Sequence, residues 1–292
     1  MHRYLLEHRI SHADVDLLGE IKVAALLGLL EQAAVEASAE RGFDPAYYTA
    51  QGRVWIIRRT CLERGLPVGG GDRLQVATHV LDWRRARSLR NYEVRRANGD
   101  GPTTVVAQAT TDWVYCDVLS GKPVTVPEEM RHGFATDELP TLPRARAIAE
   151  SAPGEPVVMA LTVRASLLDH VTHVNNAAYT AMLEDGAFEL FATHGLSVAR
   201  MLELGGALRM ARVDLEYLDD AIAGDHLVVR SWLLADDTGD GATPPALTSD
   251  APPRGARLLQ TITREDGGRI LRAASTWVWR RRPAMLGGVP SA

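Results

Sequence analysis

A carboxylate, an imidazole and two side-chain amides stand together in one polar segment, residues 169–176, with the sequence DHVTHVNN. An apolar stretch with the pattern of a helix follows at about residues 176–194, and Asn176 is suited to cap its start. The unpaired N–H groups at the start of a helix can polarise a carbonyl or stabilise an oxyanion. The segment is therefore a candidate catalytic site, in which Asp169 and His173 would supply the reacting groups.

Each of these residues also has an ordinary structural explanation. Asp169 suits a loop or a cap, and His173 suits a buried histidine with satisfied hydrogen bonds. Asn175 and Asn176 suit helix caps. Their grouping in one short segment favours the catalytic interpretation. Asp169, His170 and His173 could also hold a metal ion, but no third His or Cys stands at a ligand spacing, so we expect neither a metal nor a cofactor.

Composition and common motifs exclude several classes of protein. The 292 residues contain 32 Lys and Arg against 37 Asp and Glu, a net charge of −5, which argues against a nucleic-acid partner. The longest apolar run, residues 23–30, is far shorter than the roughly 20 residues of a membrane helix, so we expect a cytoplasmic protein without membrane contact. The sequence has no nucleophile-elbow, phosphate-loop or zinc-peptidase motif, which weighs against those enzymes.

The chain is predicted to be an internal duplication. Acidic residues recur at a spacing of 153, in the pairs Asp16 and Asp169, Glu31 and Glu184, Asp72 and Asp225. Each half begins with an Asp-containing loop, continues into an apolar helix and ends with several strand-like runs, so we expect one helix wrapped by an antiparallel sheet. The predicted organisation is a first domain at 1–135, a linker at 136–156, a second domain at 157–283 with an insertion near 236–256, and a disordered tail at 284–292.

The pattern D-x-x-x-H-V-N-N-x-x-Y at residues 169–179, its duplication, WIIR at 55–58, an Arg-rich strand and Trp113-Val114 resemble the acyl-acyl-carrier-protein thioesterases. The resemblance runs from about Tyr4 to Arg281 and extends more widely to the 4-hydroxybenzoyl-CoA thioesterase-like superfamily. It implies an α+β fold, a tandem (double) hotdog in which each half has a long central helix wrapped by an antiparallel sheet. The plant enzymes have Asn where this chain has Val171, and Glu-Cys where it has Asp220 and Ala221.

The resemblance implies hydrolysis of fatty acyl thioesters, above all acyl-acyl-carrier-protein (acyl-ACP), with release of free fatty acid. Asp169 and His173 would then be catalytic, with Asp169 as general base or nucleophile, and the N–H groups near Asn175 and Asn176 would hold the oxyanion. Predicted supporting residues are Thr172, Glu184, Asp220 and Asp16. The alternatives are an acyl-CoA thioesterase, a hotdog hydratase and a non-catalytic acyl-binding protein.

The two halves are not equivalent, because the first has Glu20 where the spacing of 153 places His173. We therefore expect the first half to shape the acyl channel and the second to carry the chemistry. The helix glutamate Glu184 is expected to look toward the Asp169 site.

An Arg-rich stretch in the first half is a candidate surface for the acyl carrier. Six arginines fall within residues 84–96, and the predicted carrier-binding set is Arg84, Arg85, Arg87 and Arg90. Positive charge concentrated in an acidic protein favours an anionic partner, either acyl carrier protein or coenzyme A. The alternative is a solvated strand whose arginines pair locally. The duplication already places two hotdogs side by side, and it leaves homodimerisation open.

Overall fold

Ten strands form one antiparallel sheet in the computed structural model, which describes residues 3–98, 101–134, 143–235, 247 and 251–283. The strands of the first half are β1 (Tyr4–Arg9), β2 (Arg53–Arg64), β3 (Arg73–Arg84), β4 (Arg87–Asn98) and β5 (Gly101–Asp117). Those of the second half are β6 (Val157–Thr162), β7 (Gly206–Tyr217), β8 (His226–Leu233), β9 (Gly255–Arg264) and β10 (Arg269–Arg281). The strand-like runs predicted from the sequence all fall within these strands.

The order of strands in the sheet shows the duplication directly. It is β1-β3-β4-β5-β2-β7-β10-β9-β8-β6, so the second half repeats the first in reverse about the β2–β7 pair. Cys61 on β2 lies opposite Asp214 on β7, and the two positions are 153 residues apart. An approximate two-fold axis therefore passes through this pair, and residues of the first half as far as Asp72 have counterparts 153 residues away, as the sequence predicted.

Two long helices supply most of the core beneath the sheet. They are α1 (Val23–Ala39) and α4 (Ala178–Thr193), and shorter helices are α2 (Pro45–Gln51), α3 (Glu128–Gly133) and α5 (Val198–Glu203). The apolar positions of α1 spread around most of its circumference, and most are buried, although Val35 is exposed. This confirms a wrapped helix in each half, because a helix that is apolar on many sides must be covered on those sides. The fold is a double hotdog.

The connection between the halves is more ordered than its composition suggested. Residues 123–134 return to the first half, where Val126 and Met130 are buried against Tyr115. Further on, Thr110 donates a hydrogen bond to the Pro143 carbonyl, and the Arg146 N–H donates to Asp214. The described part of the linker is therefore in contact with β5 and β7.

Two sequence predictions concern segments that are largely outside the described residues. The predicted insertion near 236–256 overlaps the start of β9 at its last two residues, Gly255 and Ala256, and most of the remainder lies outside the description. The predicted tail at 284–292 also lies outside it. Among the helices of the described residues, none has both the length and the hydrophobicity to cross a bilayer.

Candidate active site

Asp169 stabilises the loop that precedes α4 through hydrogen bonds. Its Oδ1 accepts hydrogen bonds from the N–H groups of Val171 at 2.9 Å and His173 at 3.3 Å. Within this loop Thr172 adopts a left-handed backbone with a φ of 68°, at the position where the first half has Gly19 with a φ of 77°. A β-branched residue in this region is strained, and such strain is concentrated at functional sites. The loop therefore has a backbone conformation that is unfavourable for Thr172.

The first half has the same arrangement around Asp16. Oδ1 of Asp16 accepts hydrogen bonds from the N–H groups of Leu18 at 2.8 Å and Glu20 at 3.0 Å. One oxygen of each aspartate is thus used in the same way, and any difference in chemistry between the halves must come from other groups.

The cap of α4 differs from the prediction. Asn176 does not cap the helix: the N-cap residue is Ala177, without a side-chain cap, and ahead of the helix Oδ1 of Asn175 accepts a hydrogen bond from the Ala177 N–H at 2.8 Å. The Asn175 N–H is bonded to the Leu167 carbonyl at 2.9 Å, so it is not free for a substrate. In the described part of the chain, the backbone N–H of Asn176 has no such acceptor, and it remains the available donor at this helix start.

Tyr179 and Asp220 complete the surroundings of His173. The Ala221 N–H donates to the Tyr179 hydroxyl at 3.1 Å, and the Val174 N–H donates to the Ala221 carbonyl at 2.8 Å. These bonds hold the turn after β7 against the loop before α4. As a result, Nδ1 of His173 lies 3.4 Å from Oδ2 of Asp220, with both side chains about half exposed. The structure therefore brings together two residues that the sequence separates by 47 positions.

A narrow crevice lies between α1, the sheet and the start of α4. Its polar lining includes side chains from both halves: Glu31, Thr60, Tyr92, Thr111, Asn176 and Tyr217. Its apolar lining is supplied by Leu27, Leu30, Ile57, Trp113 and Ala177. The cavity has a volume of ≈ 10 Å³, about the space that one water molecule requires.

Glu31 and Glu184, the two helix glutamates, each face the loop of the opposite half. Glu31 lies near Asp169 and His170, and burial raises its pKa, with the Asp169 charge adding to the effect. Glu184 instead lies near Asp16 and Arg64, and burial raises its pKa to about 7 against the opposing charge of Arg64. The prediction that Glu184 looks toward the Asp169 site is therefore wrong, because the two-fold arrangement places each helix beside the other half's loop.

The counterpart of the crevice in the first half is filled with ion pairs. Glu20 lies 2.5 Å from Nε of Arg209 and 3.8 Å from Nη2 of Arg64, and all three side chains are nearly inaccessible. Arg64 also donates to the Ile21 carbonyl at 2.6 Å. A cavity of ≈ 640 Å³ lies outside this cluster, along Gly69 and Arg280. This end of the molecule has Glu20 at the position of His173, so it does not repeat the Asp169 site.

The predicted carrier-binding arginines do not share one surface. Arg84 and Arg87 are exposed beside the turn between β3 and β4, and Nη1 of Arg87 lies 3.4 Å from Asp112. Arg85 is exposed too and donates to Thr125 at 3.4 Å. Arg90 is only 7% exposed, with its guanidinium 5.4 Å from the ring centre of Phe134, so its assignment to a docking surface is wrong.

Two further arginines, missed in the sequence, extend this surface toward the crevice. Burial raises the pKa of Asp112, and the surrounding arginine charges oppose this effect. The arginines that act on Asp112 are Arg58, Arg59, Arg84 and Arg87, here called the arginine patch. Arg58 donates to the backbone carbonyl of Tyr217, which lines the crevice. The signal was present in the sequence as the Arg58-Arg59 pair, but it lies 25 residues from the Arg-rich stretch.

Within the described ranges, no group of three or more His, Cys, Asp and Glu side chains is arranged to hold a metal ion. Cys61 and Cys116 are buried free thiols.

Comparisons with known proteins agree with this architecture. Residues 2–134 match the acyl-ACP thioesterase N-terminal domain, and residues 163–275 match the thioesterase-like superfamily. No curated protein sequence matches the chain. Fold and site together define a thioester hydrolase built as a double hotdog.

Solved structures show the same fold over nearly the whole chain. A protein assigned as an oleoyl thioesterase from Lactobacillus plantarum is 18% identical, with a TM-score of 0.74 and coverage of 97% of both chains. The 12:0-ACP thioesterase from Umbellularia californica is 17% identical, with a TM-score of 0.71 and coverage of 95% of this chain and 94% of that one. An acyl-ACP thioesterase from Bacteroides thetaiotaomicron gives 17% identity, a TM-score of 0.71 and coverage of 94% and 97%. The two family matches confirm the resemblance seen in the sequence.

Proposed function

We propose that the protein hydrolyses fatty acyl-ACP at the crevice beside Asp169 and His173 and releases the free fatty acid. The observation that carries this proposal is that three features lie together at the start of α4. They are the available N–H of Asn176, the His173–Asp220 pair and the Asp169 carboxylate, which the loop N–H groups hold in place. The counterpart end of the molecule has Glu20, Arg64 and Arg209 instead. One active site for each chain follows.

In the proposed first step, Asp169 is the nucleophile. Its Oδ1 is fixed by two loop N–H groups, so the carboxylate is held in one orientation and Oδ2 is left to attack the thioester carbonyl carbon. The carbonyl oxygen becomes an oxyanion that the Asn176 N–H stabilises at the positive end of α4. The C–O bond to Asp169 then remains while the C–S bond breaks, which gives a mixed anhydride and a thiolate.

His173 protonates the departing sulfur in this scheme. Asp220, 3.4 Å from Nδ1, orients the ring and stabilises its protonated form. A thiol has a pKa near 8.5 and is a good leaving group, so a modest acid is sufficient. Asp220 thereby supplies a carboxylate at the place where the plant enzymes have Glu.

The acyl chain would lie between α1 and the sheet, among the apolar residues of the crevice. A cavity of ≈ 10 Å³ is far smaller than the several hundred Å³ of a typical ligand site, so binding must part these side chains. Ile57 and Trp113 come from neighbouring strands, β2 and β5, and Leu27 and Leu30 come from α1. Separation of α1 from these strands would open the channel that the sequence led us to expect.

The arginine patch is the proposed docking surface for the carrier. It borders the crevice through Arg58, and Arg84 and Arg87 are exposed at its outer edge. An acidic carrier protein matches this charge, and long-range attraction speeds such encounters.

The proposal is tested by measuring thiol release from palmitoyl, lauroyl and aryl thioesters on acyl carrier protein and on coenzyme A. We expect hydrolysis of the fatty acyl thioesters, with a higher kcat/KM for the carrier protein. Higher kcat/KM on coenzyme A would instead identify an acyl-CoA thioesterase. Binding of the acyl thioester without thiol release would show a non-catalytic acyl-binding protein.

A further inference from the structure

Glu31 contributes a carboxylate to the crevice from the half of the molecule opposite to Asp169. It lies on α1, is partly buried, and lines the cavity together with Thr60, Tyr92, Asn176 and Tyr217. Among the described residues no hydrogen bond or ion pair involves its carboxylate. Such a group, in contact with an open space and unneutralised, is chemically available.

The other half shows what a purely structural version of this residue looks like. Glu184 is the counterpart of Glu31, and Arg64 occupies the position beside it that corresponds to Tyr217. The buried positive charge of Arg64 stabilises the ionised Glu184. Tyr217 provides no such charge to Glu31. The duplication has therefore kept both glutamates and placed a buried arginine near only one of them.

The space beside Glu31 has the size and polarity of a water site. Its volume is close to that of one water, and hydroxyl groups of Thr60, Tyr92 and Thr111 and the amide of Asn176 surround it. Hydrolysis through an anhydride on Asp169 needs a second group that removes a proton from the attacking water, because Asp169 is then acylated. After it has given its proton to the leaving thiol, His173 is also a base, but unlike Glu31 it does not line the cavity.

We propose that Glu31 is the general base that activates the hydrolytic water, so that the first hotdog supplies a catalytic residue to the site of the second. This inference rests on the proposed function. The water oxygen attacks the acyl carbon of the anhydride while Glu31 takes one of its protons. The C–O bond to Asp169 then breaks, and its electron pair restores the Asp169 carboxylate. The fatty acid keeps the second proton of the water, and the proton on Glu31 returns through solvent to His173, which completes the cycle.

The groups that face Glu31 are consistent with this role. Asp169 and His170 act on it from the loop before α4, and Tyr92 and Tyr217 face it from β4 and β7. Burial and the Asp169 charge raise its pKa, while His170 opposes the shift. A carboxylate with a raised pKa is a stronger base than an ordinary one.

Rapid-mixing kinetics of Glu31→Gln test the proposal, with Glu184→Gln as the matched control. The substrate is palmitoyl-ACP, or palmitoyl-CoA if the unmodified protein prefers it, and a chromogenic thiol reagent detects the product. The protein's own thiols, Cys61 and Cys116, are buried and give little background. For Glu31→Gln we expect a burst of one thiol for each protein molecule, followed by turnover at least about a hundredfold slower than in the unmodified protein. Glu184→Gln should retain the unmodified rate within about threefold, because Glu184 is outside the site.

Several results would overturn the assignment. Steady turnover of Glu31→Gln within threefold of the unmodified protein means that Glu31 activates no water. Loss of both the burst and the turnover places Glu31 before departure of the thiol, which contradicts a role in the second step. Failure of the proposed function itself is distinguishable, since the unmodified protein would then release no thiol from any fatty acyl thioester.

Discussion

Arg64 and Tyr217 occupy equivalent positions on the two central strands, 153 residues apart, and each stands beside the helix glutamate of the opposite half. Arg64 places a buried positive charge among Glu20 and Glu184. Tyr217 places a neutral hydroxyl beside Glu31 and donates it to the Asn176 carbonyl at 3.3 Å. At one end of the molecule Arg64 therefore joins Glu20 and Arg209 in a cluster of ion pairs, whereas at the other end Tyr217 leaves an uncharged position in the crevice.

Arg64→Met is expected to destabilise the protein strongly, because it removes one buried charge of the Glu20–Arg64–Arg209 cluster and the positive charge near Glu184. Removing one member of a buried ion cluster costs about 3–5 kcal/mol. Urea denaturation compares the variant with Arg73→Met, an exposed strand arginine for which the change should stay within about 0.5 kcal/mol. A loss below about 1 kcal/mol for Arg64→Met would show that water reaches the cluster and replaces the arginine.

Glu184 should make the free energy of unfolding decrease as the pH rises. Its pKa is about 7 in the folded protein against an ordinary 4.5, so between these values the folded state holds a proton that the unfolded chain has released. The contribution of Glu184 to the free energy of unfolding is therefore fully present below pH 4.5 and is lost as the pH rises through 7. Glu184→Gln cannot ionise, so the stability of the variant relative to the unmodified protein should rise by about 2–3 kcal/mol between pH 4.5 and pH 8.

Urea unfolding at the two pH values checks this expectation for Glu184→Gln. Glu189→Gln changes an exposed glutamate on the same helix and should show no comparable pH effect. A stability difference for Glu184→Gln that is flat with pH would mean that Arg64 keeps Glu184 ionised throughout.

Much of the fold could be predicted from the sequence, because the equivalent residues of a duplication recur at a constant spacing. A shift of 153 residues aligns the two loops, the two helices and the turns at Asp72 and Asp225 without knowledge of any contact. The halves were expected to behave differently because Glu20 replaces a histidine, and the ion pairs of Glu20 show the physical form of that difference.

The wrong predictions about the site concern side-chain directions and contacts, which the spacing of residues in the sequence does not determine. Arg90 and Arg87 are three residues apart on one strand, so they point to opposite faces of the sheet, and only Arg87 remains in solvent. Glu31 could not be assigned to the site because its neighbours depend on how α1 passes the opposite half's loop. The predicted cap at Asn176 is absent, because the start of α4 is shaped by the Asn175 side chain, which accepts from the Ala177 N–H ahead of the helix.

Asp169→Asn is expected to keep the fold and lose the activity. The amide oxygen of Asn can still accept from the Val171 and His173 N–H groups, so the loop should hold, but the nucleophilic carboxylate is absent. We expect kcat to fall at least about a hundredfold, with a Tm close to that of the unmodified protein.

The matched variants of Asp169→Asn are in the first half. Asp16→Asn should change neither kcat nor Tm appreciably, because it keeps the bonds to Leu18 and Glu20. Asp16→Ala loses those bonds and should lower stability by about 1–3 kcal/mol with little change in kcat. Equal losses of kcat in Asp16→Asn and Asp169→Asn, at unchanged Tm, would assign chemistry to both halves.

The arginine patch predicts how the two carriers respond to salt and to charge reversal. Arg84 and Arg87 are exposed and make only long ion pairs of 3.4 Å, so most of their charge is available to a partner. Attraction between exposed charges is screened over about 8 Å at physiological ionic strength, so kcat/KM for acyl-ACP should fall steeply between low and physiological salt. Arg84→Glu combined with Arg87→Glu should lower it about tenfold or more at low salt, and hydrolysis of a short neutral thioester should not change.

The control for this double variant is Arg9→Glu combined with Arg73→Glu. These arginines are exposed and adjacent on β1 and β3, at the other end of the strand that carries Arg84. They give the same change in net charge, so any general effect of charge appears equally in both proteins. Coenzyme A has phosphates of its own, and the deciding quantity is therefore the ratio of kcat/KM between acyl-ACP and acyl-CoA. If that ratio is the same in both double variants and in the unmodified protein, the arginine patch is a solvated surface and the carrier docks elsewhere.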